Sequence, residues 1–216
     1  MNIIEQNHEI LSLPHDCLEI LEKAGRTCYK SETRITQDSA GKFVDMLIRN
    51  NHHAMIEFGD IIVKLTTNRG VTHELVRHRM CSFAQESTRY VKYDKDIAFI
   101  RPVWSDDRLI GQWDPNHLDL PKDLPVGDEI WLKSMARAES EYKTLIDAKW
   151  KAQAAREILP NSMKTEIVVK ANIREWRHIF ALRCAKTSHP QMVGLMIPLL
   201  KDLKTKIPVV FNDLKF

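Results

Sequence analysis

The densest group of reactive side chains in the sequence lies in one short segment, residues 77–90. The segment is RHRMCSFAQESTRY, with three arginines, one histidine and several hydroxyl, amide and carboxylate groups. Guanidinium groups stay charged at neutral pH and bind two phosphate oxygens at once, and hydroxyl groups add short hydrogen bonds. The segment therefore predicts a pocket for a nucleotide monophosphate or a dinucleotide pyrophosphate. The alternative is the solvated C-terminal end of a basic helix.

Two histidine patterns that suggest a metal site fail on spacing. His73 and Glu74 are followed by His78, five residues after the first histidine. On a helix, imidazoles at that spacing diverge by about 140°. His52 and His53 are adjacent in the sequence, and adjacent side chains point apart. We therefore expect no metal site.

Composition and charge indicate a globular protein. The 216 residues are 44% hydrophobic and 28% charged, and the net charge of +3 is too small to indicate nucleic-acid binding by itself. Four cysteines without a Cys-x-x-Cys pair fit reduced thiols better than a disulfide framework. The N-terminus has no basic signal-type region, and no apolar run approaches the roughly 20 residues that span a bilayer. We expect a cytoplasmic protein with no membrane partner.

Hydrophobic periodicity predicts the elements that must position the reactive groups. Helices are predicted over residues 16–25, 39–50, 72–80, 128–159 and 172–185, and from residue 188 to just before Pro208. Strands are predicted over residues 56–67, 97–104 and 165–171, and residues 105–128 form a long irregular stretch. The pattern indicates an α+β fold, with a mixed or antiparallel sheet packed against long helices, in a single domain over residues 1–216.

The arginine-rich segment also resembles a known family. Arg77-His78-Arg79, followed after seven residues by Ser87, is similar to the Arg-His-Arg-x7-Ser signature of the flavin-dependent thymidylate synthases. Other stretches resemble further parts of that family: residues 25–29, 52–58, 156–160, 172–174, 182–183 and 188–191. The resemblance covers most of the chain, and the domain length agrees with it.

The resemblance implies methylation of dUMP at C5 to give dTMP. It implies 5,10-methylenetetrahydrofolate as the carbon donor, FAD reduced by NADPH as the hydride source, and homotetramers whose active sites lie between subunits. It implies an FAD site at Arg77, His78, Arg79, Gln85, Asn172, Arg174 and His178. It implies a dUMP site at Glu74, Arg77, Gln85, Glu86, Ser87, Thr88, Arg89, Arg156 and Arg183.

Arg183 is the expected catalytic residue in that set. The resemblance implies that it lies against the uracil edge, where a permanent positive charge favours ionisation at N3 and raises electron density at C5. Asn172 and Arg183 are eleven residues apart, about three helical turns, so one helix can present both on one face. We assign Ser87 a binding role, because the sequence places no histidine where it could deprotonate the Ser87 hydroxyl. Cys81 is given a packing role.

Five positions depart from the residues that are usual in the family. They are Ala54, Glu74, Ala84, Gln85 and His178. The arginines that would recognise phosphate are all retained.

Two other functions remain open at this point. The first is a flavin-dependent enzyme that acts on another pyrimidine nucleotide. The second is a basic nucleic-acid-binding module, in which arginines bind phosphates while Phe83 and Tyr90 stack on bases. The absence of a wider basic stripe disfavours the module, so we expect no nucleic-acid partner.

Overall fold

The computed structural model describes residues 1–93 and 95–216. Its β-strands are β1 Asn2–Ile4, β2 Asn7–Ser12, β3 Asp60–Asn68, β4 Cys81–Gln85, β5 Ala98–Ile100, β6 Gly111–Gln112 and β7 Lys164–Asn172. Its α-helices are α1 Cys17–Thr27, α2 Ser39–Arg49, α3 Arg69–Leu75, α4 Val126–Asp147, α5 Ala152–Ala155, α6 Ile173–Arg183, α7 Pro190–Lys206 and α8 Pro208–Phe211. The predicted α+β class is confirmed.

The described chain divides into two compact units. Unit 1 consists of Met1–Asn7, Leu65–Leu75 and Ala84–Ile167. Unit 2 consists of His8–Lys64, Val76–Phe83 and Val168–Phe216. The chain passes from one unit to the other inside β2, β3, β4 and β7 and directly after α3.

The strands form two sheets. The first has the order β5-β1-β6. In it β1 runs parallel to β5, with Asn2 opposite Ala98, and antiparallel to β6, with Ile3 opposite Gly111. The second sheet has the order β2-β3-β7-β4. A mixed sheet is therefore present as predicted. The short strands β1, β2, β4 and β6 were not predicted from the sequence, because two to six residues give little alternation to detect.

The predicted alternation in β3 is confirmed. Ile61, Val63 and Leu65 are fully buried, while Ile62 and Lys64 between them are partly exposed. The strand begins at Asp60, later than predicted, because a 3-10 helix occupies the preceding residues His53–Phe58. One face of β3 thus lies in the core.

Two predicted helix ends are wrong. Gly25 does not end α1, which continues to Thr27. A Cβ at Gly25 would lie 2.5 Å from a ring carbon of Phe43, so the glycine lets the Phe43 ring pack closely against the backbone of α1. The helix predicted over residues 128–159 instead ends at Asp147, and Lys149 has a φ of 69°, a left-handed conformation that interrupts the helix before α5.

The helix predicted over residues 72–80 is also displaced. Its observed range is Arg69–Leu75, because the Asn68 side chain accepts a hydrogen bond from the Val71 amide at 2.9 Å and so begins the helix earlier. The segment from Arg77 to Met80 therefore lies in a turn after the helix. The three residues of the Arg-His-Arg motif are not on a helical face.

The irregular stretch over residues 105–128 supports the core of unit 1. Leu109 is fully buried, and its carbonyl accepts a 2.8 Å hydrogen bond from the Trp113 indole. Leu118 and Leu120 pack against the same core. The stretch also contains β6 and the first turn of α4, which begins at Val126. None of the described helices has the length together with the apolar character that a bilayer crossing requires.

Candidate active site

Unit 2 contains two neighbouring hollows beside α6. The larger has a volume of about 530 Å³, and the predicted FAD residues Asn172, Arg174 and His178 lie in its wall. The smaller has a volume of about 320 Å³ and is lined by Arg183 together with the Arg-His-Arg motif over residues 77–79. His178 belongs to both walls. The structure therefore brings together, within one unit, seven of the predicted site residues.

The start of α6 is fixed by two local contacts. Asn172 caps the helix, because its side-chain oxygen accepts a hydrogen bond from the Glu175 amide at 2.8 Å. The amide of Ile173 donates to the carbonyl of Gly59 at 2.8 Å. A Cβ on Gly59 would lie 2.7 Å from the Cys17 sulfur and 2.8 Å from Ile173. This close approach sets the position of the residues at the beginning of α6.

We expect Gly59→Ala to lower the free energy of unfolding by about 1–3 kcal/mol, the usual cost of forcing a methyl group into a packed core. The backbone of Gly59 is extended, so the loss would come from crowding by Cys17 and Ile173. The matched control is Gly41→Ala, where no atom lies within 4 Å of the new Cβ. Urea unfolding of both variants measures the difference. Equal stability of the two variants would contradict the expected crowding.

His78 is held between two side chains of α6. Its Nδ1 lies 3.1 Å from a carboxylate oxygen of Glu175, and its Nε2 accepts a hydrogen bond from Nε of Arg183 at 3.0 Å. A carboxylate only accepts and a guanidinium only donates. The two partners therefore require the neutral imidazole that carries its proton on Nδ1.

Burial favours the same protonation state. The His78 side chain is 4% exposed, and this burial lowers its pKa; the Glu175 hydrogen bond opposes the shift, and the charge of Arg183 adds to it. His78 is consequently neutral at neutral pH. The ring of His178 lies edge-on to it, with 5.7 Å between centroids.

His78, Glu175 and His178 form a group that could offer ligands to a metal, because one donor atom from each lies within 4.8 Å of the others. The Arg183 hydrogen bond opposes that use. A metal on Nδ1 of His78 would leave the imidazole proton on Nε2, directly facing the N–H of Arg183. The arrangement is therefore better suited to polar hydrogen bonding than to cation binding.

Cationic groups in unit 2 are available to an anionic ligand. Within the described chain, Arg77 and Arg79 are exposed and make no hydrogen bond or ion pair. Arg174, by contrast, is paired with Glu57 at 2.6 Å, and both of these side chains are partly exposed. Two unpaired guanidiniums in the wall of the smaller hollow could bind the oxygens of a pyrophosphate.

His53 adds an unpaired acceptor to the larger hollow. Its Nε2 is buried and has no hydrogen-bond partner among the described residues. Burial lowers the pKa of His53, and the charges of Arg177 and Arg174 lower it further. A neutral imidazole nitrogen without a partner can accept a hydrogen bond from a polar ring edge. His53 thus offers the larger hollow one hydrogen-bond acceptor for a bound ring.

The other predicted nucleotide residues lie in unit 1, and two of them are engaged within it. The amide nitrogen of Gln85 donates to the buried hydroxyls of Thr72 and Thr165, at 2.9 and 3.3 Å. Glu86 accepts from the Tyr93 hydroxyl at 2.7 Å and from Lys164 at 3.2 Å. These side chains support the end of β4, and Gln85 retains only its amide oxygen for a ligand.

Ser87, Thr88 and Arg89 form a turn after β4, near Arg156. The Ser87 hydroxyl accepts from the Arg89 amide, and Arg156 donates to the Thr88 hydroxyl, both at 3.3 Å. The guanidinium of Arg89 is exposed and lies 5.4 Å from the centre of the Tyr90 ring. Arg89 is thus the residue of this turn that is accessible to phosphate. Glu74, the remaining predicted residue in unit 1, is partly buried in α3.

The structure shows no activated thiol in the motif. Burial raises the pKa of the Cys81 thiol to about 12, so it stays protonated at neutral pH. This agrees with the packing role predicted for Cys81. Glu175 was assigned no role from the sequence, because no motif or spacing distinguishes it. His53 lies in the stretch 52–58 that resembles the family, but its unpartnered Nε2 is apparent only in the fold.

Comparison with known proteins identifies the family. The model of the family Thy1, described as thymidylate synthase complementing protein, matches residues 9–209. The flavin-dependent thymidylate synthase of Mycobacterium avium is 31% identical over 202 residues, which cover 90% of this chain and 78% of that protein. The enzyme of the same description from Corynebacterium diphtheriae is 30% identical over 201 residues, 92% of this chain and 79% of its own.

Two solved structures have the same fold. A UMP/dUMP methylase from Streptomyces cacaoi, bound with 5-Br dUMP, has a TM-score of 0.77 at 22% identity and covers 98% of this chain and 96% of its own. Thymidylate Synthase X from Helicobacter pylori, with FAD and dUMP, has a TM-score of 0.76 at 19% identity and covers 96% of this chain and 98% of its own. Taken with the family match and the sequence relatives, these findings show that the chain belongs to the family of flavin-dependent thymidylate synthases.

Proposed function

We propose that this protein methylates dUMP at C5 to give dTMP. The observation that supports this most directly is the hydrogen-bonded pair of His78 and Arg183 beside the unpaired guanidiniums of Arg77 and Arg79, in a chain of the flavin-dependent thymidylate synthase family. In the proposed reaction 5,10-methylenetetrahydrofolate supplies the one-carbon unit and NADPH reduces the flavin. FAD, when bound, would supply the hydride that completes the methyl group.

The residues of unit 2 would hold the cofactor. Arg77 and Arg79 would bind the pyrophosphate oxygens of FAD, because their guanidiniums are exposed and unpaired in the described chain. Asn172, Arg174 and His178 would orient the cofactor along the wall of the larger hollow. His78 would keep Arg183 in place.

The pyrimidine nucleotide would be bound through its phosphate and through its ring. Arg89 would bind its phosphate, and Ser87 and Arg156 would add hydrogen bonds to the nucleotide. Arg183 would lie against the uracil edge, where its charge stabilises the anion that develops when C5 reacts. We also assign Glu74, Gln85, Glu86 and Thr88 to the surroundings of the nucleotide, although the internal hydrogen bonds of Gln85 and Glu86 make those two supporting residues.

The test of the function is an anaerobic turnover assay with the purified protein. With NADPH and methylenetetrahydrofolate present, dUMP labelled with tritium at C5 should release its label, and dTMP should form in equal amount. The purified protein should be yellow, and NADPH should bleach it. No tritium release above a control without enzyme would reject dUMP as the substrate.

A second substrate, UMP, belongs in the same assay. The solved Streptomyces cacaoi structure that shares this fold is a UMP/dUMP methylase. UMP differs from dUMP by one hydroxyl group, which a polar pocket accepts or rejects according to its hydrogen-bond partners. Faster methylation of UMP than of dUMP would favour this alternative.

We further propose that the whole chain, residues 1–216, acts as one catalytic domain in a cytoplasmic homotetramer with active sites between subunits. Exposed apolar side chains near the site, Phe58 at 61% and Met80 at 70%, support burial against another copy. All four cysteines are free, which fits a reducing compartment. Light scattering of the purified protein should give four times the monomer mass, and a monomer mass would reject the tetramer.

We expect Arg77→Ala to weaken FAD binding about 10- to 100-fold, because one charge-assisted phosphate contact contributes about 1.5–3 kcal/mol. Flavin absorbance retained after gel filtration, and titration of the stripped protein with FAD, measure the change. The matched control is Arg34→Ala, which removes an exposed arginine elsewhere in unit 2. Equal FAD affinity in both variants would show that Arg77 does not bind the cofactor.

A further inference from the structure

We propose that Glu175 is a positioning residue for the reaction, which acts through His78 to hold Arg183 in its working orientation. The inference rests on the proposed function, because the role of Arg183 at the pyrimidine comes from there. Glu175 is not among the residues that the family resemblance assigns. Its contact with His78 joins residues 97 positions apart in the sequence.

Glu175 and Arg183 lie near opposite ends of one helix. Glu175 lies in the first turn of α6 and Arg183 is its last residue. Eight residues of α-helix rise by about 12 Å, and the imidazole of His78 bridges the two side chains across that span. The helix cap at Asn172 fixes the backbone of Glu175. The Glu175 carboxylate therefore holds the His78 imidazole in a fixed position.

The hydrogen bond to Glu175 determines which nitrogen of His78 carries the proton. While Glu175 accepts from Nδ1, the nitrogen Nε2 of His78 keeps a lone pair for Arg183. Without an acceptor at Nδ1, the neutral ring can carry its proton on Nε2, where it would face the N–H of Arg183. Two donors would then meet, and the hydrogen bond that holds Arg183 would be lost.

The contact between His78 and Glu175 is largely buried. The side chains of His78 and Glu175 are 4% and 12% exposed, so bulk water does not readily replace the carboxylate as the acceptor. Glu175 also lies among positive or titratable groups: Arg183 and His178 on its own helix, and Arg77 and Arg79 beside His78. Its negative charge offsets that of Arg183 and keeps the guanidinium close to the imidazole.

Two substitutions of Glu175 distinguish the effect of its hydrogen-bond acceptor from the effect of its negative charge. Glu175→Gln removes the charge but keeps an oxygen that can accept from Nδ1, whereas Glu175→Met has similar length and no comparable acceptor. The charge-change control is Glu19→Gln, at an exposed glutamate of α1 in unit 2. Circular dichroism and thermal unfolding establish that each variant is folded. If Glu175→Met does not fold, Glu175→Ser replaces it, because its short side chain cannot reach the imidazole.

The decisive measurement is the position of the proton on His78. Nitrogen NMR of the labelled protein, with the signal assigned by its loss in His78→Gln, distinguishes protonation on Nδ1 from protonation on Nε2. We expect Nδ1 protonation in the wild type and in Glu175→Gln, and a shift toward Nε2 in Glu175→Met. A merely structural role of Glu175 would not move this signal in a folded protein.

The rate of turnover should depend on which nitrogen of His78 carries the proton. We expect kcat for dUMP to fall about 10- to 100-fold in Glu175→Met, with the KM for dUMP changed less, and to stay close to the wild type in Glu175→Gln. Retention of Nδ1 protonation or of full turnover in Glu175→Met would overturn the proposal. Equal losses of turnover in both variants would also overturn it, because charge alone would then explain the effect.

The NMR measurement needs no substrate, so the two hypotheses fail separately. If the wild type makes no dTMP from dUMP, the proposed function is rejected, while the proton position still shows whether Glu175 sets the His78 tautomer. If the wild type is active and the tautomer does not depend on Glu175, only the positioning role is rejected.

Discussion

Replacing Arg183 with alanine is expected to lower the turnover of dUMP about 100- to 1000-fold, while the protein stays folded and keeps FAD bound. Turnover is expected to fall this far because the substitution removes a preorganised charged group from the position where negative charge develops on the pyrimidine. Arg183 is only partly exposed and donates to the neutral imidazole of His78 at 3.0 Å. Of the described residues that line the smaller hollow, Arg183 is the one that donates a hydrogen bond to this ring, whereas Glu175 accepts one from it.

Two further variants make the Arg183 result specific. Arg183→Lys keeps a positive charge but loses the planar donor group, so its turnover should lie between those of the wild type and the alanine variant. Lys186→Ala removes an exposed charge three residues later and should leave turnover unchanged. Flavin absorbance and single-turnover rates are measured for each. Normal turnover in Arg183→Ala would show that the residue does not stabilise the reacting pyrimidine.

The second large effect is expected on stability, at the buried carboxylate of Glu139 in α4. Its side chain is fully buried, one oxygen accepts from the Ile97 amide at 2.8 Å and the other from Lys143 at 2.7 Å. Glu139→Ala leaves a buried amide without its partner and a void in the core of unit 1. We expect the free energy of unfolding to fall by about 3 kcal/mol.

Glu141→Ala is the matched control for that measurement. Glu141 lies two residues further along α4, is half exposed and pairs with Arg137 at 2.7 Å on the surface. Such pairs contribute about 0–1 kcal/mol, so the control should unfold at nearly the wild-type urea concentration. Similar midpoints for the two alanine variants would contradict the role assigned to the buried carboxylate.

The elements that could be predicted from sequence are those with a long, regular pattern. The alternation of β3 and the helical faces of α2 and α6 were predicted within a few residues. The displaced start of α3 could not be predicted in this way, because it depends on the side chain of Asn68 bonding to the Val71 amide. The break after α4 depends on the left-handed backbone at Lys149, where neither glycine nor proline marks it.

The sequence indicated the residue types of the candidate site but not the contacts between them. The motif pointed to Arg77 and Arg79, and these arginines are exposed and unpaired in the described chain. Its spacing could not indicate that Glu175 would meet His78, since a contact between residues 97 positions apart arises only from the tertiary fold. Nor could it show that Gln85, a motif residue, would direct its amide to buried threonines.

The division of the chain into interleaved units has a consequence for biosynthesis. Each unit is built from three separate stretches of sequence, and the last stretch of unit 2 begins at Val168. A nascent polypeptide emerging from the ribosome therefore cannot complete the second unit until residues 168–216 have been translated. Contacts between such distant stretches form slowly. Expressing either half of the gene on its own should yield an insoluble fragment, and chaperone occupancy during translation should be prolonged.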